Sequence, residues 1–330
     1  MPAITYQNTR TNIPYWVNTV HVEQQRGYAY ERNGRFFHIY GRAQDLWTIS
    51  IGLTATQTAS ADGLNGWANK TFGAQNTLPM EHEPGEVINA VWRPGLIFQN
   101  DIHQALSTNE YSQRVAEQAL RILIEKLDDV LLYLEPTPSG LMSYGHKTRE
   151  LLILACMEVE NFWGQYMSIA NTASAGRGFS TNDYIKLLRP LHLVEYQVRF
   201  KLINGGYSFQ PFNSWNSTNP TQSLTWYDAY NKTKHNRELH FSSATLENCL
   251  HAISAVITMF CVRHSPFPLI SGGSFLSGLF NQHFDIALVG ANPASFYVPA
   301  INAPVGFRQD LCCGTMAEYV APWKQNPLVI

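Results

Sequence analysis

The run Trp226-Tyr227-Asp228-Ala229-Tyr230-Asn231-Lys232-Thr233-Lys234-His235-Asn236-Arg237 is where this chain concentrates chemically capable side chains. One imidazole, His235, has Lys232, Lys234 and Arg237 around it. Cations beside an imidazole favour its neutral form, which can take a proton from a hydroxyl. The same cations can hold a phosphate. On a helix, residues four apart share a face, so Asn231 and His235 point the same way. Trp226, Tyr230 and Thr233 follow the 3.6-residue period and form the expected buried stripe beside them. The stretch also reads as a solvated helix end whose basic residues suit the helix dipole.

A carboxylate could complete the set. The periodic segment 146–170 contains Met157-Glu158-Val159-Glu160-Asn161-Phe162. By its period, Glu158 falls on the face of Leu151, Ala155 and Phe162, and Glu160 points to the other side. A carboxylate among apolar neighbours is costly unless paired, so His235, Lys234 or Arg237 is its expected partner. The plainer alternative puts Glu158 at the core edge, paired with any nearby Lys or Arg.

The elements that must position these groups are read from period and caps. Residues 107–135 predict a helix, opened by Ser107-Thr108-Asn109-Glu110 as a capping box and closed by Pro136 and Pro138. Segments 146–170, 225–236 and 243–264 predict three more, with Ser223 and then Ser242 or Ser243 as caps. Each has a long apolar face, so the four are expected to pack as one bundle. Val194 to Leu202 alternates apolar and polar residues, and Asn204-Gly205-Gly206 turns it towards Tyr207-Ser208-Phe209. That is a hairpin over 193–210, inserted between helices.

Residues 1–105 look β-rich. Tyr28 to Arg32, Asn33-Gly34 and Arg35 to Tyr40 form a hairpin signal, and Trp47 to Ile51 a further strand. Residues 54–86 read as a long loop. In the Gly- and Pro-rich segment 265–330, Asp285 to Val289 looks like a buried strand and Met316 to Tyr319 like a helical turn. This segment is expected to cover the rest of the protein or to pair with the N-terminal strands. Glu81-His82-Glu83 and Asp101-Ile102-His103 are metal-ligand types, but neither has the spacing that makes a site specific, and no metal is assigned.

Composition bounds the function. Charged residues make up 15% of the 330 and the net charge is −2, which argues against disorder and against bulk electrostatic binding of nucleic acid. Cys156, Cys249 and Cys261 lie in apolar helical patterns and read as buried small hydrophobes, and the adjacent pair Cys312-Cys313 lacks metal spacing. The expectation is a reducing, cytoplasmic compartment, without a signal peptide in the opening residues and without a membrane span.

The helix order around Glu158 and Asn231-Lys232-Thr233-Lys234-His235 resembles the HEPN superfamily, small helical bundles common in bacterial toxin–antitoxin and phage-defence systems. Many members are metal-independent ribonucleases. Their hallmark is Arg, a polar residue, three further residues and His. Here the polar position is Asn231 and the His is His235, while Tyr230 stands where the family has Arg. The resemblance covers about residues 107–264. The residue patterns make the chain α+β, with a β-rich region over 1–105 and an extension over 265–330, and the resemblance makes 106–264 a HEPN-like bundle with its hairpin. It further implies RNA or nucleotide as partner, cleavage by transesterification without cofactor, and a site that can be shared across a homodimer. His235 would be the base, Asn231 would orient the imidazole or the phosphate, and Glu158 would be the acidic residue that accompanies the motif from an early helix. Arg237, Lys232 or Lys234 would stabilise the phosphorane, with Lys232 and Lys234 as the phosphate-binding residues. With Tyr230 in place of Arg, the same resemblance also fits a non-catalytic scaffold or sensor.

Overall fold

Asn33 and Gly34 set the first turn, both at positive φ (50° and 71°), as a type I′ hairpin requires. The computed structural model describes residues 2–10, 25–41, 46, 49–174, 176, 178–310 and 317–330, excluding the side chains of 50–53 and 317. Helices and strands mix along the chain, an α+β protein. It divides into two compact units, Met1–Ser107 with Ala291–Asn326, and Thr108–Gly290 with Pro327–Ile330.

In the first unit, β1 (Ala3–Gln7), β2 (Arg26–Arg32), β3 (Arg35–Gly41), β4 (Ile49–Thr58) and β5 (Gln75–Pro79) form one antiparallel sheet in the order β4-β3-β2-β1-β5. Both faces are covered. Helix α1 (Gly63–Phe72) sets Leu64, Trp67, Ala68 and Phe72 against Ile4, Tyr6, Phe36 and Tyr40. On the opposite face, Tyr28, Tyr30, Phe37 and Ile39 lie under Phe296, Val298 and Ile301. Burial on both sides explains why β2 and β3 read as nearly continuous apolar runs. The Tyr30 hydroxyl donates to the Pro299 carbonyl (3.1 Å) and accepts from the Ile301 N–H (2.9 Å). Farther on, β6 (Glu86–Ile88) pairs in parallel with Lys324–Asn326, and α2 spans Gln99–Ala105.

The 54–86 segment is therefore not a loop. It holds the end of β4, α1 and β5. Its Gly, Asn and Thr content hides Leu64, Trp67, Ala68 and Phe72, which stand at helical spacing. Trp47 and Thr48, expected in a strand, lie outside the described residues, as do Cys312, Cys313 and Met316; Ala317–Tyr319 is a 3-10 turn.

The second unit is helical. Helices α3 (Glu110–Leu131), α4 (His146–Ile169), α5 (Thr225–His235) and α6 (Leu246–His264) correspond to the four expected ones. Helix α6 packs against α3, α4 and α5, and α4 packs against α3 and α5. The caps sit elsewhere than expected. Asn109 caps α3 through a reciprocal pair with Ser112, since the Ser112 N–H donates to Asn109 Oδ1 (2.9 Å) and the Asn109 N–H to Ser112 Oγ (3.2 Å). Thr245 caps α6, and Ser223 instead accepts the Asn216 N–H. By length and composition α6 could cross a membrane, but 78% of its apolar window is buried inside the protein.

Strand β7 (Tyr196–Phe200) pairs with β8 (Tyr207–Phe209) around Gly205 and Gly206, which take positive φ. The 193–210 hairpin is thus present, with Leu193–Glu195 as a 3-10 turn at its entry. It gains a third strand, β9 (Phe284–Leu288), on the free edge of β7. Expected as a buried strand, β9 instead alternates between covered and exposed positions at a sheet edge. Before it, α7 (Phe275–His283) packs on α3. There the fully buried His283 places Nε2 2.5 Å from Asp128 Oδ1 and Nδ1 2.9 Å from the Leu279 carbonyl. The 265–330 segment is consequently divided: its first part completes the second unit, and 291–326 completes the first.

Burial of phenols gives the first unit an alkaline limit. Desolvation raises the hydroxyls of Tyr6, Tyr28, Tyr30 and Tyr297 above the ordinary 10.0. Below that value both folded and unfolded chains keep their phenolic protons, so this contribution to stability is complete. As pH rises past 10.0, the unfolded chain releases protons that the folded chain retains, and stability falls by up to about 1.4 kcal/mol per pH unit per tyrosine. Urea unfolding at stepped pH should decline beyond about pH 10 less steeply for Tyr28→Phe than for the wild type. This comes on top of a decline common to both that starts near 9.0, where the unfolded chain begins to ionise thiols that burial keeps protonated in the folded one. A curve still flat at pH 12 would rule this out.

Candidate functional site

Helix α5 carries the stretch that the sequence singled out. Trp226, Tyr227, Ala229, Tyr230 and Thr233 are its buried face, so the expected stripe is present and broader. Trp226 is anchored by its indole N–H on the Pro211 carbonyl (2.9 Å), and Trp215 similarly on Pro220 (2.9 Å). At the far end, Arg149 of α4 donates two hydrogen bonds to the Thr233 carbonyl (3.2 and 3.1 Å). A guanidinium there satisfies an end carbonyl and complements the negative end of the helix dipole.

The polar residues diverge from this frame. His235 is exposed at the end of α5, and Asn231 is half-buried one turn earlier. Lys232 is paired with Asp228 on its own helix (2.5 Å). Lys234 bends back, donates to the Tyr230 hydroxyl (2.7 Å) and lies over the Tyr230 ring (4.9 Å). Arg237 stacks on Phe241 (5.4 Å) and reaches His146 Nε2 (3.5 Å). The three cations thus have separate partners and do not converge on His235.

Glu158 was expected against His235, Lys234 or Arg237. Its carboxylate instead accepts from Asn161 on its own helix (3.2 Å), and among the described residues no ion pair joins it to any of the three. The carboxylate that meets α5 is Glu160. Its Oε1 accepts from the Tyr227 hydroxyl (2.5 Å) and its Oε2 from the Tyr230 hydroxyl (3.3 Å). With Lys234 donating to Tyr230, this forms a relay in which an ammonium and a carboxylate are joined through a phenol. Burial, then the bond to Glu160, raises the Tyr227 hydroxyl far above its usual range. Burial also raises Tyr230, opposed by the Lys234 bond, and the same bond raises Lys234. Each group is thereby held in its ordinary neutral-pH form, which suits a structural clasp better than a proton shuttle.

Nothing local marked Glu160. The first half of α4 is apolar on every side, so its period does not say which face meets α5. Arg149 and His146 were likewise missed, because their partners, Thr233 and Arg237, lie 84 and 91 residues away in sequence.

The residues weighed as metal ligands are placed differently. Glu81 accepts from Asn292 (2.7 Å), and the His82 ring faces Tyr297 (5.5 Å between centroids). Among the described residues no group of three or more His, Cys, Asp or Glu is gathered to hold a metal. Cys156, Cys249 and Cys261 are fully buried free thiols, as their apolar setting suggested, and burial raises all three. No family model, curated protein or solved structure matches this chain.

Proposed function

We propose that this chain is a HEPN-like binding or sensing module without nuclease chemistry. One observation carries the reading. Tyr230, at the position where the ribonuclease motif has Arg, is fully buried and engaged with Lys234 and Glu160. A ribonuclease site needs a base, a group that orients it and a cation at the developing phosphorane. Here Lys232 and Lys234 are held within α5, and Glu158 does not orient His235. A second reading, RNA cleavage or RNA binding, draws on the exposure of His235 and Arg237 and on the approach of Arg237 to His146.

The two separate in one experiment. Wild type and His235→Ala are incubated with single-stranded RNA and chelator, and their melting temperatures compared. The binding-module reading expects no cleavage above background from either protein. Because His235 is exposed, it also expects stabilities within about 0.5 kcal/mol of each other. Chelator-resistant cleavage by the wild type that vanishes in His235→Ala would overturn it in favour of the nuclease.

A further inference from the structure

The first unit holds a half-open cavity of about 570 Å³, within the size range of small-molecule sites. Its walls are mostly apolar: Ile49, Ile97, Phe98, Pro299, Val320 and Trp323. Polar side chains come from one short stretch, Asn100, Asp101 and Gln104 of α2. Asp101 is the single ionisable group among the lining residues, and no ion pair or hydrogen bond to its carboxylate is present among the described residues.

The cavity is built rather than incidental. Gly95 brings its loop against the 297–301 segment at φ +103°, where an added Cβ would stand 1.9 Å from the Tyr297 carbonyl oxygen. Only glycine permits that approach. The opposite wall is pinned by the Ala321 N–H on the Ala300 carbonyl (2.8 Å) and the Asn302 N–H on the Tyr319 carbonyl (2.8 Å). Gln104 Nε2 holds the Trp323 carbonyl (2.9 Å), tying α2 to that wall. A pocket fixed by its own backbone bonds keeps its shape without an occupant, which lowers the ordering cost of binding.

We propose that this cavity binds a small amphipathic cation, an amine carried on an aromatic body. The apolar walls and the Phe98 and Trp323 rings take the body. Asp101 takes the ammonium through a charge-assisted hydrogen bond, and the Asn100 amide offers a second acceptor. An anion of the same shape would meet Asp101 as a like charge. This inference rests on the first unit alone and stands or falls independently of the reading of α5.

Tryptamine is a suitable probe, with indole-3-propionate as the anionic counterpart and calorimetry or ligand-observed NMR as the readout. Tryptamine is expected to bind the wild type and indole-3-propionate to bind at least tenfold more weakly. Asp101→Asn should weaken tryptamine by at least about tenfold and abolish the preference for amine over acid. Ala321→Trp fills the cavity from its wall and should eliminate both ligands. It serves as the second variant should Asp101→Asn fold poorly. Absence of tryptamine binding to the wild type at millimolar concentration overturns the proposal. So does binding that neither variant changes, or equal binding of amine and acid.

Discussion

Glu160→Ala should cost about 2–3 kcal/mol of stability, and Glu158→Ala less than about 0.5 kcal/mol. The two carboxylates are two residues apart on α4, half-buried and chemically near-identical, so local propensity predicts no such contrast. The structure does. Glu160 accepts from two hydroxyls of α5, and Tyr227 and Tyr230 are only 5% and 0% exposed. Removing the acceptor strands buried donors, each costing about 1–3 kcal/mol, and leaves the relay to Lys234 without its negative end. Among the described residues the Glu158 carboxylate bonds Asn161 of its own helix and no other side chain. Glu160→Gln keeps one acceptor oxygen and should recover a substantial part of the loss. Urea unfolding of the three variants measures this. Equal costs, or a larger cost at Glu158, would restore the arrangement expected from the helical period and dismiss the relay.

Trp163→Ala should be the most damaging single change in the second unit, at about 3–5 kcal/mol. Trp163 is fully buried where α4 meets α5 and the 184–215 segment before it. Its ring stacks on Trp215 at 5.0 Å and lies 5.1 Å from Tyr184, 5.3 Å from Tyr227 and 6.4 Å from both Phe212 and Trp226. Truncation removes that contact area and leaves a void that rigid rings cannot collapse into. A chain of two compact units need not unfold in one step, so the readout should be local. Amide hydrogen exchange along α4 and α5 should accelerate by two orders of magnitude or more, with β2 and β3 unaffected. Unchanged protection in α4 would refute the assignment. Trp163→Phe retains a ring and should cost less than half as much.

The local code of this chain was legible. Asn33-Gly34 can take positive φ at two consecutive residues, and between the apolar runs on either side it signals a tight hairpin, so β2 and β3 were legible from that context; the same pair at Asn65-Gly66 lies inside α1. The long helices and the Trp226–Tyr230–Thr233 stripe follow from 3.6-residue periods or, in the first half of α4, from an apolar run bounded by helix signals. Tertiary structure alone decided which groups meet. The all-round apolar first half of α4 leaves its orientation free, and a rotation of roughly 200° separates Glu158 from Glu160. Packing of α5 chose Glu160. The same holds for the tail, where Phe284–Leu288 extends the β7 sheet and Phe296, Val298 and Ile301 close a face of the N-terminal one. Those partnerships span from about 90 to about 270 residues of sequence. No local pattern encodes a partner that far away, because hydrophobic burial is non-directional and accepts any apolar face of matching shape until the rest of the fold excludes the others.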